Sequence, residues 1–380
     1  MKQFAVKPEI FMCDTCKEFC DEYKIGKGDL ILSNEYIFEP YFSQYVSGAT
    51  VVYVEKYGTG EPSDEMVEAI YADIKNCYYR RVFAIGGGTI IDVSKLFALE
   101  KVSPVLDLYD HKIPAKKGKE LFILPTTCGT GSEVTNISIL ELKSRHTKLG
   151  LAEPALFANA AVLIPELLQG LPFRFFATSS IDALIHAVES YLSPKANAFT
   201  RMYSTKAIHM ILGGYKRIAA EGEEARMVDL KEFQLASTFA GIAFGNAGCA
   251  AVHAMSYPLG ARYHVPHGES NYAIFTEVLK TYLRLAPEGR IQQLNAMLAE
   301  ILACDKSAVY DELETLLNHL CPKKALHEYG VSQEELEDFT ENVMTSQGRL
   351  MANDYTELDR DEVPDRSRGW HRYLFMREIE

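Results

Sequence analysis

The sequence predicts an α/β domain with a mostly parallel sheet over residues 1–175, followed by an all-α domain over residues 176–380. Two observations support this division. Short runs rich in valine and isoleucine alternate with helical stretches in the first half, whereas no convincing strand follows Thr178. The length of 380 residues is also enough for roughly two domains.

Five strands are predicted in the first half, each short and bounded by Gly, Pro or Asn: 29–33, 49–55, 81–85, 120–125 and 160–164. Between the second and third, residues 61–77 have helical spacing, with Ser63 or Asp64 as the N-cap. Met66, Ile70 and Ile74 fall on one face of that helix. Strand, helix and strand at this spacing are typical of βαβ units, which build parallel sheets.

The second half reads as long helical segments, for example 179–192, 199–220 and 290–302. The pattern changes after residues 171–176, which places the boundary near residue 175. A ligand site on the first domain and a chemical site on the second are expected to meet in a cleft between them.

Composition limits the classes of partner. Apolar residues make up 47% and charged residues 24% of the chain, which is ordinary for a globular protein. A net charge of −13 argues against nucleic acid and anionic membranes as partners, because phosphate groups would repel this surface. No apolar run approaches the ~18 residues of a membrane span, and the first residues lack a secretory pattern. A cytoplasmic location is therefore expected.

The eight cysteines fit a reducing compartment better than a disulfide framework. Cys13 and Cys16 form a CxxC motif, followed by Cys20. A zinc site of this type needs a second pair nearby, and the sequence has none. We therefore expect ordinary reduced thiols.

Two turns at predicted strand ends are candidates for phosphate binding. Gly86, Gly87, Gly88 and Thr89 stand between a strand and a helix, whose N-terminus offers free N–H groups to a pyrophosphate. Their spacing is not GxGxxG, so a plain tight turn fits this motif equally well. The stretch 124–135 gathers hydroxyl side chains after the next strand, where ligands bind in open α/β sheets.

A metal site is predicted in the second half. Asp182 and His186 are four residues apart on a predicted helix and share a face. At that spacing alone, a surface pair or a buried core histidine is the commoner outcome. His253 and His267 add two imidazoles, and the set of one carboxylate and three imidazoles suits Fe²⁺ or Zn²⁺ better than Mg²⁺ or Ca²⁺. No thiolate is predicted to take part, which argues against a structural zinc site.

Local patterns place the last two histidines. His253 is predicted on a helix that ends at Pro258, and His267 in a turn between Pro266 and Gly268. His264 falls in the connecting loop and is interpreted as a pocket or surface residue.

The motifs GGGTxxDxxK, PTTCGTGSEVT, DALIHAVE and HAMSYPLG…VPHG together resemble the iron-dependent (group III) alcohol dehydrogenases. The resemblance implies an N-terminal α/β dinucleotide-binding domain with a parallel sheet, an all-α C-terminal metal-binding domain, and a homo-oligomer. It also implies NAD and a divalent metal as cofactors, Fe²⁺ before Zn²⁺, although both metals accept the ligand set.

Residues carried over by position fall into three groups. The pyrophosphate loop would comprise Gly86, Gly87, Gly88, Thr89 and Asp92. The adenine and nicotinamide-ribose regions would be lined by Thr126, Thr127, Thr135 and Lys148. The metal ligands would be Asp182, His186, His253 and His267, as chosen above from ligand chemistry.

Three positions depart from the family pattern. Tyr257 stands where many members have a histidine one turn after the third ligand, and its hydroxyl could form a hydrogen bond in place of that histidine. Tyr257 and His267 are predicted to be the catalytic residues. Asn34 stands where members often have an aspartate that contacts the adenine ribose and disfavours NADP. Ile164 replaces the aspartate of an Asp-Pro-Glu triplet and has no functional account.

The resemblance implies reversible oxidation of a primary alcohol, with the metal as Lewis acid and hydride transfer to the nicotinamide. Residues 253–272 most resemble the branch that acts on a hydroxy acid, whose carboxylate would need a cation such as Arg262 or Lys148. Within the dehydrogenases, glycerol or a diol is also compatible as the substrate. Two different functions stay open as well: a metal-dependent lyase of the dehydroquinate-synthase type, which uses NAD only transiently, and a nucleotide-sensing protein without chemistry.

Overall fold

The computed structural model describes residues 4–58, 60–145 and 147–358. The chain forms two compact units: the first comprises Ala5–Leu171, and the second comprises the residues from Pro172 onward together with Phe4. This transition lies close to the boundary expected near residue 175. Residues 359–380, the end of the predicted helical domain, lie outside the described residues.

A six-stranded parallel sheet forms the centre of the first unit, as predicted. Its strands, in spatial order, are β1 (Glu9–Met12), β8 (Ala160–Leu163), β5 (Glu120–Pro125), β4 (Arg81–Gly86), β2 (Asp29–Ser33) and β3 (Thr50–Tyr53). The inner strands are almost completely buried, which explains their continuous apolar runs. β1 was not predicted, because it is a four-residue edge strand whose side chains are all exposed.

Five helices accompany the strands of this unit, of which the sequence predicts the third and the fourth. They are α1 (Cys16–Tyr23), α2 (Glu35–Tyr41), α3 (Asp64–Ile74), α4 (Gly88–Phe97) and α5 (Val105–Tyr109). The N-cap of α3 is Ser63, whose Oγ accepts a hydrogen bond from the backbone N–H of Met66 at 3.2 Å. Met66, Ile70 and Ile74 are all buried in the core of the unit, so the predicted apolar face of α3 is confirmed.

An antiparallel hairpin, β6 (Ile137–Leu142) and β7 (Thr147–Ala152), follows the hydroxyl-rich loop and was not predicted. Alternate residues of β6 are buried, with Leu140 and Leu142 in the core. The sequence of β6, ISILEL, does not alternate apolar and polar residues, and no Asn-Gly or Asp-Gly turn marks the hairpin.

The described part of the second unit contains helices and no strand. The helices are α6 (Phe173–Leu192), α7 (Ala198–Glu221), α8 (Leu230–Ala247), α9 (Ala251–Tyr263), α10 (His267–Leu285), α11 (Arg290–Leu302), α12 (Val309–Asn318), α13 (Gln333–Ser346) and α14 (Gly348–Met351). The all-α prediction for this half is thus confirmed over the residues that the structure describes.

Two local predictions in this unit are wrong. α9 does not end at Pro258 but continues to Tyr263, because a proline inside a helix removes one hydrogen bond without always ending the helix. His267 does not lie in a turn: it is the first residue of α10, and Pro266 is the N-cap. The short connection contains His264, which is exposed and has a left-handed backbone with φ of 54°.

No single helix among the described residues has both the length and the apolar character needed to cross a membrane. The pair α8 and α9, bent by 107°, reaches those values only when both helices are counted together, and buried core helices pass the same test.

Candidate metal centre and nucleotide loops

Helix α6 carries the first two predicted metal ligands on one buried face. Asp182 and His186 lie one turn apart, and their atoms Oδ2 and Nδ1 are 3.8 Å from each other. Both side chains are almost completely excluded from solvent. A buried carboxylate needs hydrogen bonds or opposite charge around it, so this pair calls for further partners.

The other two histidines meet Asp182 from neighbouring helices. The Nε2 atom of His253, on α9, is 3.4 Å from Asp182 Oδ1. The Nε2 atom of His267, on α10, is 3.7 Å from the same oxygen. The structure therefore brings all four predicted ligands together around one carboxylate.

Close packing at Gly268 lets α10 begin beside α6. A Cβ atom at this position would lie 1.9 Å from the carbonyl oxygen of Thr178 and 3.4 Å from Cβ of Asp182. Only glycine fits at such a distance. The glycine after His267 is therefore needed to bring that histidine to Asp182.

Asn271 shows that the acceptor atoms of the cluster converge on one point. Its Nδ2 lies 2.8 Å from Asp182 Oδ1 and 3.3 Å from Nε2 of both His253 and His267. Its Oδ1 accepts a hydrogen bond from Ser256 Oγ at 2.5 Å, which orients the amide. One carboxylate oxygen and two ring nitrogens thus lie around a single point, and once the nitrogens are deprotonated they form a donor set that fits a small divalent cation.

Glu189, which sequence reasoning missed, contacts Nδ1 of His253, the ring nitrogen that does not face Asp182. Its Oε2 atom lies 2.6 Å from Nδ1 of His253 and 3.0 Å from the backbone N of Ala250, and its Oε1 accepts from the backbone N of Val252 at 2.7 Å. With Nδ1 bonded to this carboxylate, Nε2 remains directed at Asp182. The signal was present in the sequence, since Glu189 follows His186 by three residues on the same helix.

The charges of the cluster shift the pKa values of its members. Burial opposes the protonation of His253, but Glu189 and Asp182 together raise its pKa to about 9. Burial alone would raise the pKa of Asp182, yet the surrounding imidazoles, first of all His186, hold it well below its usual range. The carboxylate is therefore ionised, and a cation that binds here must compete with the proton on His253.

His267 is the exposed member of the cluster. Its side chain is 37% exposed, whereas those of Asp182, His186 and His253 are at most 6% exposed. The ring centre of Tyr257, which is half-buried, lies 6.0 Å from that of His267. A small molecule can therefore approach the cluster on the side where His267 and Tyr257 lie.

Cys249 is a further group that sequence reasoning missed. Its thiol and one ligand nitrogen each of His186 and His253 lie within 4.8 Å of one another, as do the corresponding atoms of Asp182, His253 and His267. Burial, followed by the charges of Glu189 and Asp182, raises the pKa of this thiol well above its usual value. The sequence predicts no thiolate among the ligands, and the structure places this thiol beside His186 and His253. The C-x₃-H spacing of Cys249 and His253 could have signalled it.

The two cations suggested for a substrate carboxylate already have acidic partners. Arg262 is paired with Glu335 at 2.7 Å, and Lys148 on β7 is paired with Glu61 at 3.3 Å. Neither ion pair leaves an uncompensated positive charge at these positions.

In the first unit, the two candidate nucleotide turns touch each other. Gly87 is the N-cap of α4, and a Cβ atom there would lie 3.3 Å from Cγ2 of Thr127; at Gly88 it would lie 3.0 Å from Cγ2 of Thr130. The backbone N of Thr126 donates to the carbonyl of Gly86 at 3.1 Å. None of these three glycines has a positive φ, so they serve close approach and not a left-handed turn.

A buried lysine ties the hydroxyl-rich loop to α4. The Nζ atom of Lys95 donates to Ser132 Oγ at 2.5 Å, to Thr135 Oγ1 at 3.3 Å and to the carbonyl of Ile137 at 2.6 Å. Asp92 completes the network by accepting from Ser132 Oγ at 2.7 Å. Asp92 and Thr135 therefore support the loop from inside, and Thr89 Oγ1 donates to the carbonyl of Gly60 at 3.0 Å.

Asn34 lies at the carboxyl end of β2, as the N-cap of α2. Its Nδ2 donates to Oε2 of Glu55 at 2.9 Å, and the backbone N of Glu35 donates to Oε1 of the same residue at 2.7 Å. Although position 34 is an amide, a carboxylate is thus held directly beside it.

Elsewhere in this unit, Glu166 of the unexplained triplet accepts a hydrogen bond from the backbone N of Cys16 at 2.7 Å, a structural role at the start of α1.

Comparison with protein families gives two matches that together cover most of the chain. Residues 13–165 match the iron-containing alcohol dehydrogenase family, and residues 176–365 match the Fe-containing alcohol dehydrogenase family, C-terminal.

Individual relatives agree with these matches. The chain is 50% identical over 363 residues to a 4-hydroxybutyrate dehydrogenase of Clostridium kluyveri, and the match covers 96% of this chain and 98% of that protein. It is 34% identical over 305 residues to long-chain-alcohol dehydrogenase 1 of Geobacillus thermodenitrificans, covering 77% and 75% of the two chains. A sulfoacetaldehyde reductase of Bifidobacterium kashiwanohense, solved in complex with NAD⁺, has the same fold with a TM-score of 0.81, at 21% identity over 96% of each chain.

Proposed function

The chain belongs to the iron-containing alcohol dehydrogenase family, and on that premise we propose that it catalyses the reversible oxidation of 4-hydroxybutyrate to succinate semialdehyde with NAD. The balanced reaction converts the alcohol and NAD⁺ into the aldehyde, NADH and one proton. The observation that carries the substrate is the 50% identity to the Clostridium kluyveri enzyme over almost the whole of both chains.

Asp182, His186, His253 and His267 are proposed as the metal ligands, with Fe²⁺ as the natural ion. When bound, such an ion supplies Lewis acidity that lowers the pKa of an alcohol. The chain itself orients the ligands: Asn271 fixes one oxygen of Asp182, and Glu189 fixes the ring of His253.

The exposed side of the cluster is proposed as the substrate side. His267 is accessible there, and Tyr257 stands beside it with its ring centre 6.0 Å away. We propose that the Tyr257 hydroxyl forms a hydrogen bond to the substrate hydroxyl, the role that a histidine would otherwise have at this position. The buried members of the cluster are shielded from water, which strengthens the electrostatic interactions between them and the metal that they would hold.

The nucleotide is proposed to bind at the glycine-rich turns of the first unit. Gly86, Gly87, Gly88 and Thr89 would offer the N-terminus of α4 to the pyrophosphate. Thr126, Thr127 and Lys148 would line the remainder, with Asp92 and Thr135 as supporting residues.

A preference for NAD over NADP is proposed to come from Glu55. Asn34 carries no charge, but its amide and the backbone of Glu35 hold the Glu55 carboxylate beside it. A 2′-phosphate at this edge of the sheet would meet that negative charge and be repelled.

A cytoplasmic location and a homo-oligomer, with neither nucleic acid nor membrane as partner, complete the proposal. The substrates of the family are small molecules, and the net charge of −13 is unfavourable for polyanionic partners.

The proposal is tested by NADH oxidation with a panel of aldehydes on protein of measured iron content. Succinate semialdehyde should give the highest kcat/KM, ahead of the aldehydes derived from glycerol and propanediol. His267→Ala should lose metal and turnover while the circular dichroism spectrum is unchanged. The control is His209→Ala on α7, an exposed histidine outside the cluster, which should keep both. Full metal content and turnover in His267→Ala would show that the ligand assignment is wrong.

A further inference from the structure

Cys249 gives the metal cluster a third kind of donor atom. It lies in the three-residue connection between Ala247, where α8 ends, and Ala251, where α9 begins. Its thiol and the ligand nitrogens of His186 and His253 lie within 4.8 Å of one another, and all three residues are buried. Three donors within that span can reach a single ion after small side-chain rotations, since ligand distances to zinc are about 2.0–2.3 Å.

The backbone around this thiol is fixed by hydrogen bonds. The carbonyl of Cys249 accepts from Nδ2 of Asn353 at 2.8 Å, and the N–H of Ala250 donates to Glu189 at 3.0 Å. Gly248 permits this arrangement, because a Cβ atom there would lie 2.3 Å from Nδ2 of Asn353. The position of Cys249 is therefore held as firmly as that of His253, which bonds to the same carboxylate.

Both donor sets include His253. While Nδ1 of His253 keeps its bond to Glu189, only Nε2 is available to a cation. One lone pair serves one ion. An ion held by His186, Cys249 and His253 thus excludes an ion held by Asp182, His253 and His267.

The sets differ in chemical character. The set with Asp182 presents a carboxylate oxygen and imidazoles, which suit Fe²⁺, whereas the set with Cys249 presents a sulfur that favours thiophilic ions. Binding of such an ion releases the thiol proton to solvent, because the charge of the ion stabilises the thiolate.

We propose that Cys249, with His186 and His253, forms a second, soft-metal subsite that takes Zn²⁺ or Cd²⁺ in competition with the iron site. The inference rests on the metal centre of the proposed function. It makes the enzyme sensitive to thiophilic cations: an ion in the soft subsite occupies His253 and leaves Asp182 and His267 without their shared partner.

Cobalt substitution tests the soft-metal subsite separately from the proposed iron centre. Metal-free protein is loaded with one equivalent of Co²⁺, and its visible ligand-field bands report binding at the cluster. One equivalent of Cd²⁺ is then added, and a thiolate-to-cadmium charge-transfer band in the ultraviolet reports ligation by sulfur. The wild type should show both features, Cys249→Ser should keep the visible bands and lose the charge-transfer band, and Cys304→Ser, a matched thiol outside the cluster, should keep both.

A displacement experiment adds a quantitative readout. One equivalent of Cd²⁺ should release Fe²⁺ from the loaded wild type one for one, and Cys249→Ser should bind Cd²⁺ at least about tenfold more weakly. Visible bands without a charge-transfer band in the wild type, or a charge-transfer band that persists in Cys249→Ser, would overturn the subsite and leave the iron centre standing. The absence of any cobalt spectrum would instead overturn the metal centre itself.

Discussion

Replacement of Glu189 by glutamine tests how the chain orients a metal ligand. The carboxylate accepts hydrogen bonds from the backbone N of Ala250 and of Val252 and lies 2.6 Å from Nδ1 of His253. A glutamine offers one oxygen in place of two. If that oxygen keeps His253 and Ala250, which share Oε2, the new NH₂ group faces the N–H of Val252 as a second donor.

The expected magnitude follows from this geometry. One hydrogen bond to a charged group is lost, worth about 1.5–3 kcal/mol, and those that remain are weakened by loss of the charge. Loss of an outer partner of a metal-ligating histidine lowers metal affinity by about 10–100-fold. We expect Glu189→Gln to bind Fe²⁺ or Co²⁺ weaker by that factor while the metal-free protein still folds.

The pH dependence has a defined sign. Because the pKa of His253 is raised to about 9, metal affinity in the wild type should increase with pH until that proton is lost. Without the charge of Glu189 the pKa of His253 is lower, so the increase should level off at a lower pH in the variant. The difference in metal affinity between the wild type and Glu189→Gln should therefore be largest at high pH, where the metal no longer competes with a proton on His253 of the wild type.

Metal affinity is measured by competition with a chromophoric chelator across this pH range. The control is Glu277→Gln, a buried glutamate on α10 that is paired with Lys280 and lies outside the cluster. Equal metal affinity and equal pH dependence in Glu189→Gln and the wild type would refute the positioning role of Glu189.

Three further outcomes are expected. Burial and the charge of Glu189 raise the pKa of Asp354 to about 8, so the folded protein binds this proton more tightly than the unfolded chain does. The free energy of unfolding should therefore fall as the pH rises from ~4 to about 8. Chemical denaturation of Asp354→Asn should show a smaller fall over the same range. Glu55→Gln should raise the ratio of kcat/KM for NADP to that for NAD by roughly tenfold, the effect of removing about 1.4 kcal/mol of repulsion, and an unchanged ratio would exclude Glu55 as the discriminating charge. Gly268→Ala should lose most of its metal, measured by atomic absorption, because its Cβ would meet a carbonyl at 1.9 Å; Gly213→Ala on α7, with no atom within 4 Å of its Cβ, should keep its metal.

Much of the fold could be predicted from the sequence because its buried strands are continuous apolar runs and its helices have clear periodicity. β1 has neither property: it is an exposed edge strand, recognisable only through its pairing with β8. The end of α9 was misplaced at Pro258, since sequence alone does not show whether tertiary packing carries a helix through a proline.

The ligand residues could be proposed because each belongs to a local motif, but their partners could not. Glu189 is an ordinary helical glutamate until α9 brings His253 to it, and Asn271 has meaning only beside Asp182. Cys249 is more than sixty residues from His186 in sequence. The spacing of Glu189 after His186 and the C-x₃-H spacing of Cys249 mark neighbours within one segment, but they do not encode the contacts between segments, which arise from packing between helices.

The order of the two halves along the chain has a consequence for diversification. Asp182, His186, His253 and His267 all belong to the unit that begins at Pro172, whereas every residue proposed for the nucleotide lies in Ala5–Leu171. Apart from Phe4, which groups with the second unit, the described residues of each unit form one continuous stretch of the chain. A single recombination crossover near residue 171 would therefore transfer all four proposed metal ligands from one relative to another and leave the proposed nucleotide-binding residues with the recipient.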